Sequence, residues 1–274
     1  MAQRKKFKEL SIDSFGALVT TGIGVATKDP TYLLITAGLA PIFGDMAKRM
    51  ISPIEKSRID QAESLAVRQI LGHIEKGTPV RKEFQTLEGI ANMRRVLEGS
   101  VHAARNSYAE KKVPLIANLI ATAPFTNTPL ENLINTLQLA ESLSYRQLSI
   151  LSLYAFAEFG MNVKNINFAS GPVRNYGHIL DETFIGIYED ILKLMRDDIL
   201  MQPNEHNVLM PVGLRADIVP ANIIPKYNGT LLVNGLILQT IPDEDIEVIA
   251  YYLDEENLKA HGQDPTKPNP FLNM

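Results

Sequence analysis

Hydrophobic residues recur at helical spacing along most of the chain, most clearly in residues 52–77. In "SPIEKSRIDQAESLAVRQILGHIEKG", Ile59, Ala62, Ala66 and Ile70 lie three or four residues apart, which is the period of one helix face. The charged residues between them are predicted to face away from the core: Arg58, Asp60, Glu63 and Arg68. This pattern predicts an amphipathic helix.

Signals at both ends set the limits of this helix. Ser52 can accept a hydrogen bond from a free helix amide, and Glu55 completes a capping box. Pro53 suits the first helical position, and Gly77 suits a left-handed C-terminal cap.

Three more helical segments follow at short intervals. The pattern predicts one uninterrupted helix over 84–111, then the short apolar helix "PLIANLIATA" from Pro114, then a helix from Pro129 to about Ser142. Short connections between helices are typical of antiparallel neighbours. We therefore expect a helical bundle over 52–143.

The pattern changes from Ser144 onward. The segments "SYRQLSILSLYAFAEFG" and "ETFIGIYEDILKLMRDDIL" read as capped helices, and β-like pieces follow at 207–212 and 222–227. The segment "TLLVNGLILQ" is ambiguous between helix and strand, "DEDIEVIAYYL" is predicted to be a helix, and residues 254–274 are predicted to be a mobile tail. Helix, loop, helix and short strands are the order of a winged helix, so residues 144–253 are predicted to be winged-helix-like.

The N-terminal residues 1–51 form an apolar segment rich in small residues. Its runs 15–27 and 31–44 carry no charge and are 13 and 14 residues long, with Lys28, Asp29 and Pro30 between them. A phosphate-binding loop is disfavoured, because Gly22 and Gly24 lack the third glycine of the dinucleotide motif.

Two interpretations of the N-terminal segment remain. The runs are core helices, or they form a short hairpin that enters one leaflet of a membrane, since each is too short to span it. In the second case the contact with a membrane or a partner would come from the large apolar residues Phe15, Leu18, Val19, Ile23, Leu33, Leu34, Ile35, Ile42 and Phe43.

Composition excludes several classes of function. The chain has 274 residues, no cysteine and a formal net charge of −4. Without cysteine there is no disulfide framework, thiolate zinc site, iron–sulfur cluster or cysteine nucleophile. The acidic balance argues against broad nonspecific binding of nucleic acid, which needs a basic surface.

Catalytic and metal-binding signals are weak. No two of the five histidines have the i, i+4 spacing of a metal site, and there is no G-x-S-x-G motif. The enzyme alternative places a site near His178 and His206, in the predicted loops that flank the helix at 181–199. We therefore favour a protein that is not an enzyme, and we expect no cofactor and no metal.

A nucleic-acid-binding regulator is the alternative. A winged helix would use residues 181–199 as its recognition helix, but six acidic residues oppose two basic ones there. The contacts to nucleic acid would come from Lys193, Arg196, Arg215 and Lys226.

Three stretches together resemble a group of bacterial helical proteins of the abortive-infection alpha type. They are the glycine-rich segment leading into "SPIEKSRIDQAESLAVRQILGHIEKG", the charged-to-apolar "EKKVPLIANLIATAPF", and "LAESLSYRQLSILSLYAF". The resemblance covers residues 35–240 and rests on structural motifs, so it transfers no functional residue. It implies a role in defence against phage, as a membrane-acting or toxic effector or as a sensor.

The sequence thus predicts a mainly α protein: a helical bundle with a small α+β winged-helix-like C-terminal module. We expect a cytoplasmic protein, peripheral to the inner face of the membrane, which forms a homo-oligomer. Its expected contact is a membrane surface or a partner protein, with nucleic acid as the less favoured partner.

Overall fold

The computed structural model describes residues 52–158, 166–170, 173, 182–203 and 218–260, together with Ile35, Ile42 and Asp45. These residues are mainly helical with one small two-stranded sheet, which confirms the predicted class at that level. The chain divides into two compact units. The first comprises Met1–Ser142 and Gly235–Ile237, and the second comprises Leu143–Asn234 and Leu238–Met274.

Helix α1 (Pro53–Glu75) has the ends that the sequence predicts. Ser52 Oγ accepts a hydrogen bond from Glu55 N at 3.2 Å, and Ser52 N donates to Glu55 Oε2 at 3.1 Å. After the helix, Gly77 adopts a φ of +66°, which only glycine reaches without strain. The buried face of α1 packs on helix α3 (Val113–Thr122) and helix α2 (Leu87–Asn106).

The single long helix predicted over 84–111 is wrong. The structure has a 3₁₀ turn at Lys82–Gln85, then α2, then a second 3₁₀ turn at Glu110–Lys112. The extended backbone of Thr86 interrupts the helix between the first 3₁₀ turn and α2. The Thr86 hydroxyl caps α2 by accepting a hydrogen bond from Gly89 N at 3.1 Å. Hydrophobic periodicity continued through these breaks and concealed them.

Helix α3 is buried almost all round, as its apolar sequence predicts. Helix α4 (Leu130–Ser142) packs on α2 where Gly99 faces Leu137. A Cβ at Gly99 would lie 2.6 Å from Leu137 Cδ2, so the missing side chain allows this close approach.

Gly235–Ile237 also belong to the first unit. Asn118, a buried polar residue of α3, donates a hydrogen bond from Nδ2 to Leu236 O at 2.7 Å. Its Oδ1 accepts from Gln69 Nε2. A buried carbonyl needs such a donor, so Asn118 helps to hold this distant piece of chain in the first unit.

The second unit is built around helix α5 (Tyr145–Glu158), which packs on helix α6 (Glu182–Arg196). Ser144 and Gln147 form a reciprocal cap at the start of α5, with hydrogen bonds of 2.8 and 3.1 Å. Gln147 Nε2 then donates to Asp190 Oδ1 at 2.7 Å, and Arg146 Nε donates to Asp190 Oδ2 at 2.5 Å. One carboxylate of α6 thus binds two side chains of α5.

The sheet has two antiparallel strands, β1 (Leu200–Met201) and β2 (Ile224–Pro225), with Leu200 opposite Pro225. The predicted strand at 222–227 contains β2, and the predicted strand at 207–212 lies outside the described residues. The ambiguous segment forms helix α7 (Tyr227–Leu236), followed by a 3₁₀ turn at Leu238–Thr240.

Close packing fixes Gly229 near the start of α7. A Cβ there would lie 2.4 Å from Ile199 O, a backbone atom with no freedom to move aside. The position therefore requires glycine.

Helix α8 (Asp243–Tyr251) forms where the sequence predicts it and packs on α5. The predicted mobile tail differs, because helix α9 (Glu255–Ala260) occupies its first part. Glu255 N donates to Asn167 O at 2.8 Å, and Asn167 N donates to Asp254 Oδ2 at 3.1 Å. These long-range hydrogen bonds anchor the start of the tail to the second unit.

Candidate functional site

Two residues of the predicted membrane or partner contact are described, and both are buried. Ile35 is 0% exposed and Ile42 is 2% exposed, both are helical, and they belong to the first unit. The helical Asp45 is exposed. In this conformation the two isoleucines are part of the core.

The other residues of that predicted contact lie outside the described residues: Phe15, Leu18, Val19, Ile23, Leu33, Leu34 and Phe43. Within the part of the chain that the structure describes, no helix has the length and apolar character needed to cross a membrane.

Two of the residues predicted to contact nucleic acid are ion-paired. Lys193 Nζ lies 2.6 Å from Asp197 Oδ2, and Lys226 is ion-paired with Asp198. Arg196 is exposed at the end of α6, and Arg215 lies outside the described residues. Paired lysines have less charge to offer a phosphate backbone.

The two histidines that an enzyme would need, His178 and His206, also lie outside the described residues. Among the residues that are described, no three His, Asp or Glu side chains are close enough to hold a metal ion. His73 packs in the first unit, where its ring stacks on Phe125 with centroids 4.6 Å apart. Burial, and secondarily the charge of Lys76, lower the pKa of His73.

Lys112 is the only lysine among the described residues that is buried, and its environment gives it a structural role. Its Nζ donates to Glu141 O at 3.1 Å, in the last turn of α4. Burial lowers the pKa of Lys112, and the Glu141 carboxylate partly offsets that effect. A cation near a helix C-terminus also interacts favourably with the helix dipole.

Glu63 is a functional candidate that the sequence analysis missed. The charged residues of α1 were expected to face away from the core, but Glu63 lies at the edge of the buried face, spaced with Ile59, Ala66 and Ile70. Burial raises the pKa of Glu63 to about 7, and repulsion from Asp60 adds to the rise. The sequence did contain a signal for this burial, because Glu63 is spaced at helical intervals from the buried residues 59, 66 and 70.

The neighbours of α1 explain why the pKa of Glu63 stays raised. Helix α3 contains no ionisable side chain. On α2, which also carries Arg95 and His102, Arg105 pairs with Glu55 at 3.1 Å and Arg94 pairs with Glu98 at 2.6 Å. Burial and the nearby Asp60 both make the ionised carboxylate of Glu63 unfavourable.

Comparison with known proteins gives no family. No family model, no curated protein and no solved structure matches the chain.

Proposed function

We propose that this is a non-enzymatic interaction protein that engages a membrane surface, or a partner protein, through its N-terminal apolar segment. The proposal includes a bacterial cytoplasmic location, peripheral to the inner face of the membrane, and a role in phage defence, both of which follow from the sequence and its resemblance. The observation that carries the proposal is the burial of Ile35 and Ile42 within a run that contains more apolar residues than one face uses.

Helical periodicity supplies the argument. A helix that buries Ile35 covers residues spaced three, four or seven from it. Leu33 is two residues from Ile35, and this spacing corresponds to the opposite face of a helix. An apolar residue on that face needs a cover, and a membrane or a partner protein provides one.

Flotation with liposomes tests this proposal. Burying one leucine side chain contributes about 2 kcal/mol, which is more than tenfold in affinity. Leu33→Asp should therefore lose at least tenfold in binding to anionic liposomes and keep its thermal unfolding midpoint.

Ile42→Ala is the matched control, because Ile42 belongs to the core. It should lower the unfolding midpoint and keep vesicle binding. If Leu33→Asp instead unfolds the protein, and the parent chain does not float, the whole segment is core and the proposal is wrong.

The winged-helix-like character of the second unit is also a proposal. It is supported by the order α5, α6, β1 and β2, with β1 and β2 antiparallel and joined by a long connection. The ion pairs of Lys193 and Lys226 favour a role in protein contact over reading nucleic acid. A gel shift that weakens steeply with salt would reverse this preference.

The predicted homo-oligomer stays a prediction. Sedimentation velocity over a hundredfold range of protein concentration tests it, since a single monomeric species throughout would contradict it.

A further inference from the structure

One end of the first unit brings together the start of α1 and the end of α2. Arg105 Nη2 lies 3.1 Å from Glu55 Oε1, and Arg58 Nη1 donates to Arg105 O at 3.4 Å. Ile54 precedes Glu55, and Tyr108 follows Arg105 by three residues, so both lie at this end. We call the surface formed by residues 54–58 and 105–112 the helix-end surface.

Two large hydrophobic side chains of the helix-end surface are exposed. Tyr108 is 99% exposed and Ile54 is 58% exposed. Among the described residues, these are the exposed large hydrophobic residues of the first unit, and the others belong to the second unit. Their clustering at one end marks it as a surface for contact.

The backbone holds Tyr108 outward. The neighbouring Ser107 is buried, its N donates to Ala104 O at 3.3 Å, and its Oγ donates to Ala109 O at 2.9 Å. These bonds fix the chain on both sides of Tyr108, so the ring is presented to solvent in a pre-organised position.

Charge distinguishes this end from the rest of the molecule. Residues 54–58 and 105–112 carry five basic residues and two acidic ones, in a chain whose formal net charge is −4. Arg105 is paired with Glu55 and Lys112 is buried, so Lys56, Arg58 and Lys111 remain against Glu110. By contrast, the exposed Val248 and Tyr251 of α8 share their helix with three acidic residues in its first turn. Of the helix-end surface and α8, only the helix-end surface combines exposed apolar side chains with an excess of basic residues.

The N-terminal segment connects to α1 at this surface. Ser52 caps α1, so residues 1–51 join the helix next to Ile54. Those residues include the apolar runs 15–27 and 31–44 and the basic pair Lys48 and Arg49. A membrane-bound N-terminal segment would therefore bring this end close to the lipid.

We propose that the helix-end surface docks on an anionic lipid bilayer. Tyr108 and Ile54 enter the headgroup region, where tyrosine is favoured because one end of its side chain is apolar and the other polar. The exposed Lys56 and Lys111 lie against the lipid phosphates. An exposed isoleucine fits a lipid surface better than a nucleic-acid backbone, because it has no charge or hydrogen-bond donor for a phosphate. This inference rests on the proposed function and adds a second membrane contact to it.

The test uses the full chain and vesicles of phosphatidylglycerol and phosphatidylcholine, compared with vesicles of phosphatidylcholine alone. The variant Ile54→Ser/Tyr108→Ser removes both exposed side chains without opening the core. The matched control Val248→Ser/Tyr227→Ser removes an exposed aliphatic residue and an exposed tyrosine from the second unit. A third variant, Lys56→Glu/Lys111→Glu, reverses two exposed charges of the surface.

We expect the first and third variants to lose at least tenfold in affinity for the anionic vesicles, and the control to bind like the parent. Binding of the parent should weaken with added salt and fall on neutral vesicles. If Leu33→Asp abolishes binding while Ile54→Ser/Tyr108→Ser binds like the parent, the proposed function stands and this inference is overturned. If the first variant instead dissociates a dimer in sedimentation and binds vesicles normally, the surface joins two copies of the chain, and the inference is again overturned.

Discussion

Glu63 should make the stability of the protein fall as pH rises through the weakly acidic range. Its pKa is about 7 in the folded protein, against an ordinary value of 4.5. The folded state therefore binds a proton more tightly than the unfolded chain does. The free energy of unfolding decreases from about pH 4.5 to about pH 7 and the loss from this group is complete above that range.

The size of the effect follows from the two pKa values. The difference between them corresponds to about 3 kcal/mol of unfolding free energy, at ~1.4 kcal/mol for each tenfold change in proton affinity. The side chain is only partly buried, so screening by solvent reduces this figure, and we expect about 1–2 kcal/mol.

Glu63→Gln tests the reasoning, since glutamine has nearly the same shape and does not ionise. Urea unfolding, followed by circular dichroism near pH 5 and near pH 8, gives the free energy of unfolding of each protein. Relative to the parent, the variant should gain about 1–2 kcal/mol more at the higher pH than at the lower. Glu75→Gln, the same substitution at an exposed position of the same helix, is the matched control.

An equal difference between Glu63→Gln and the parent at both pH values would refute the argument that burial holds the carboxyl neutral. Asp60→Asn separates the two causes of the raised pKa. It should move the midpoint of the pH dependence downward but leave it above 4.5, because desolvation is the larger cause.

Three further predictions concern packing and buried polar groups. Gly229→Ala should lower the free energy of unfolding by at least ~2 kcal/mol, because the new Cβ would lie 2.4 Å from a backbone oxygen. Gly72→Ala should raise the free energy of unfolding by up to ~1 kcal/mol, because a Cβ there meets nothing within 4 Å and alanine favours a helix. Asn118→Ala should cost about 2 kcal/mol, because the buried carbonyl of Leu236 loses a donor. Tyr154→Phe should raise stability by about 1 kcal/mol, because the buried hydroxyl of Tyr154 has no hydrogen-bond partner within the described structure.

Urea unfolding checks each of these variants. Equal stability of the two glycine variants, a neutral Asn118→Ala, or a destabilised Tyr154→Phe would each contradict the local contact on which the corresponding prediction rests.

Both ends of α1 and the start of α5 could be predicted from sequence because local contacts determine them. A capping serine with a glutamate or glutamine three residues later closes its own hydrogen bonds within one turn, whatever the rest of the chain does. The same holds for Gly77, whose left-handed backbone needs only the absence of a Cβ. The helical class follows from periodicity in the same way.

Hydrophobic periodicity did not predict where helices break. Residues 84–111 keep the spacing of one helix, but the extended backbone of Thr86 ends one element and caps the next. Whether such a segment forms one helix or two depends on what it packs against, and the sequence pattern does not identify those packing partners.

The burial of charged and polar side chains was likewise decided only by tertiary structure. The amino-acid sequence by itself determined the mainly helical class, the caps of α1, the N-terminal cap of α5, and the apolar run that contains Ile35 and Ile42. Tertiary structure decided that Glu63 is partly desolvated, that Asn118 binds Leu236, and that Lys226 pairs with Asp198. The physical reason is that solvation and long-range hydrogen bonds depend on which groups meet in space, whereas caps and helical periodicity depend on neighbours along the chain.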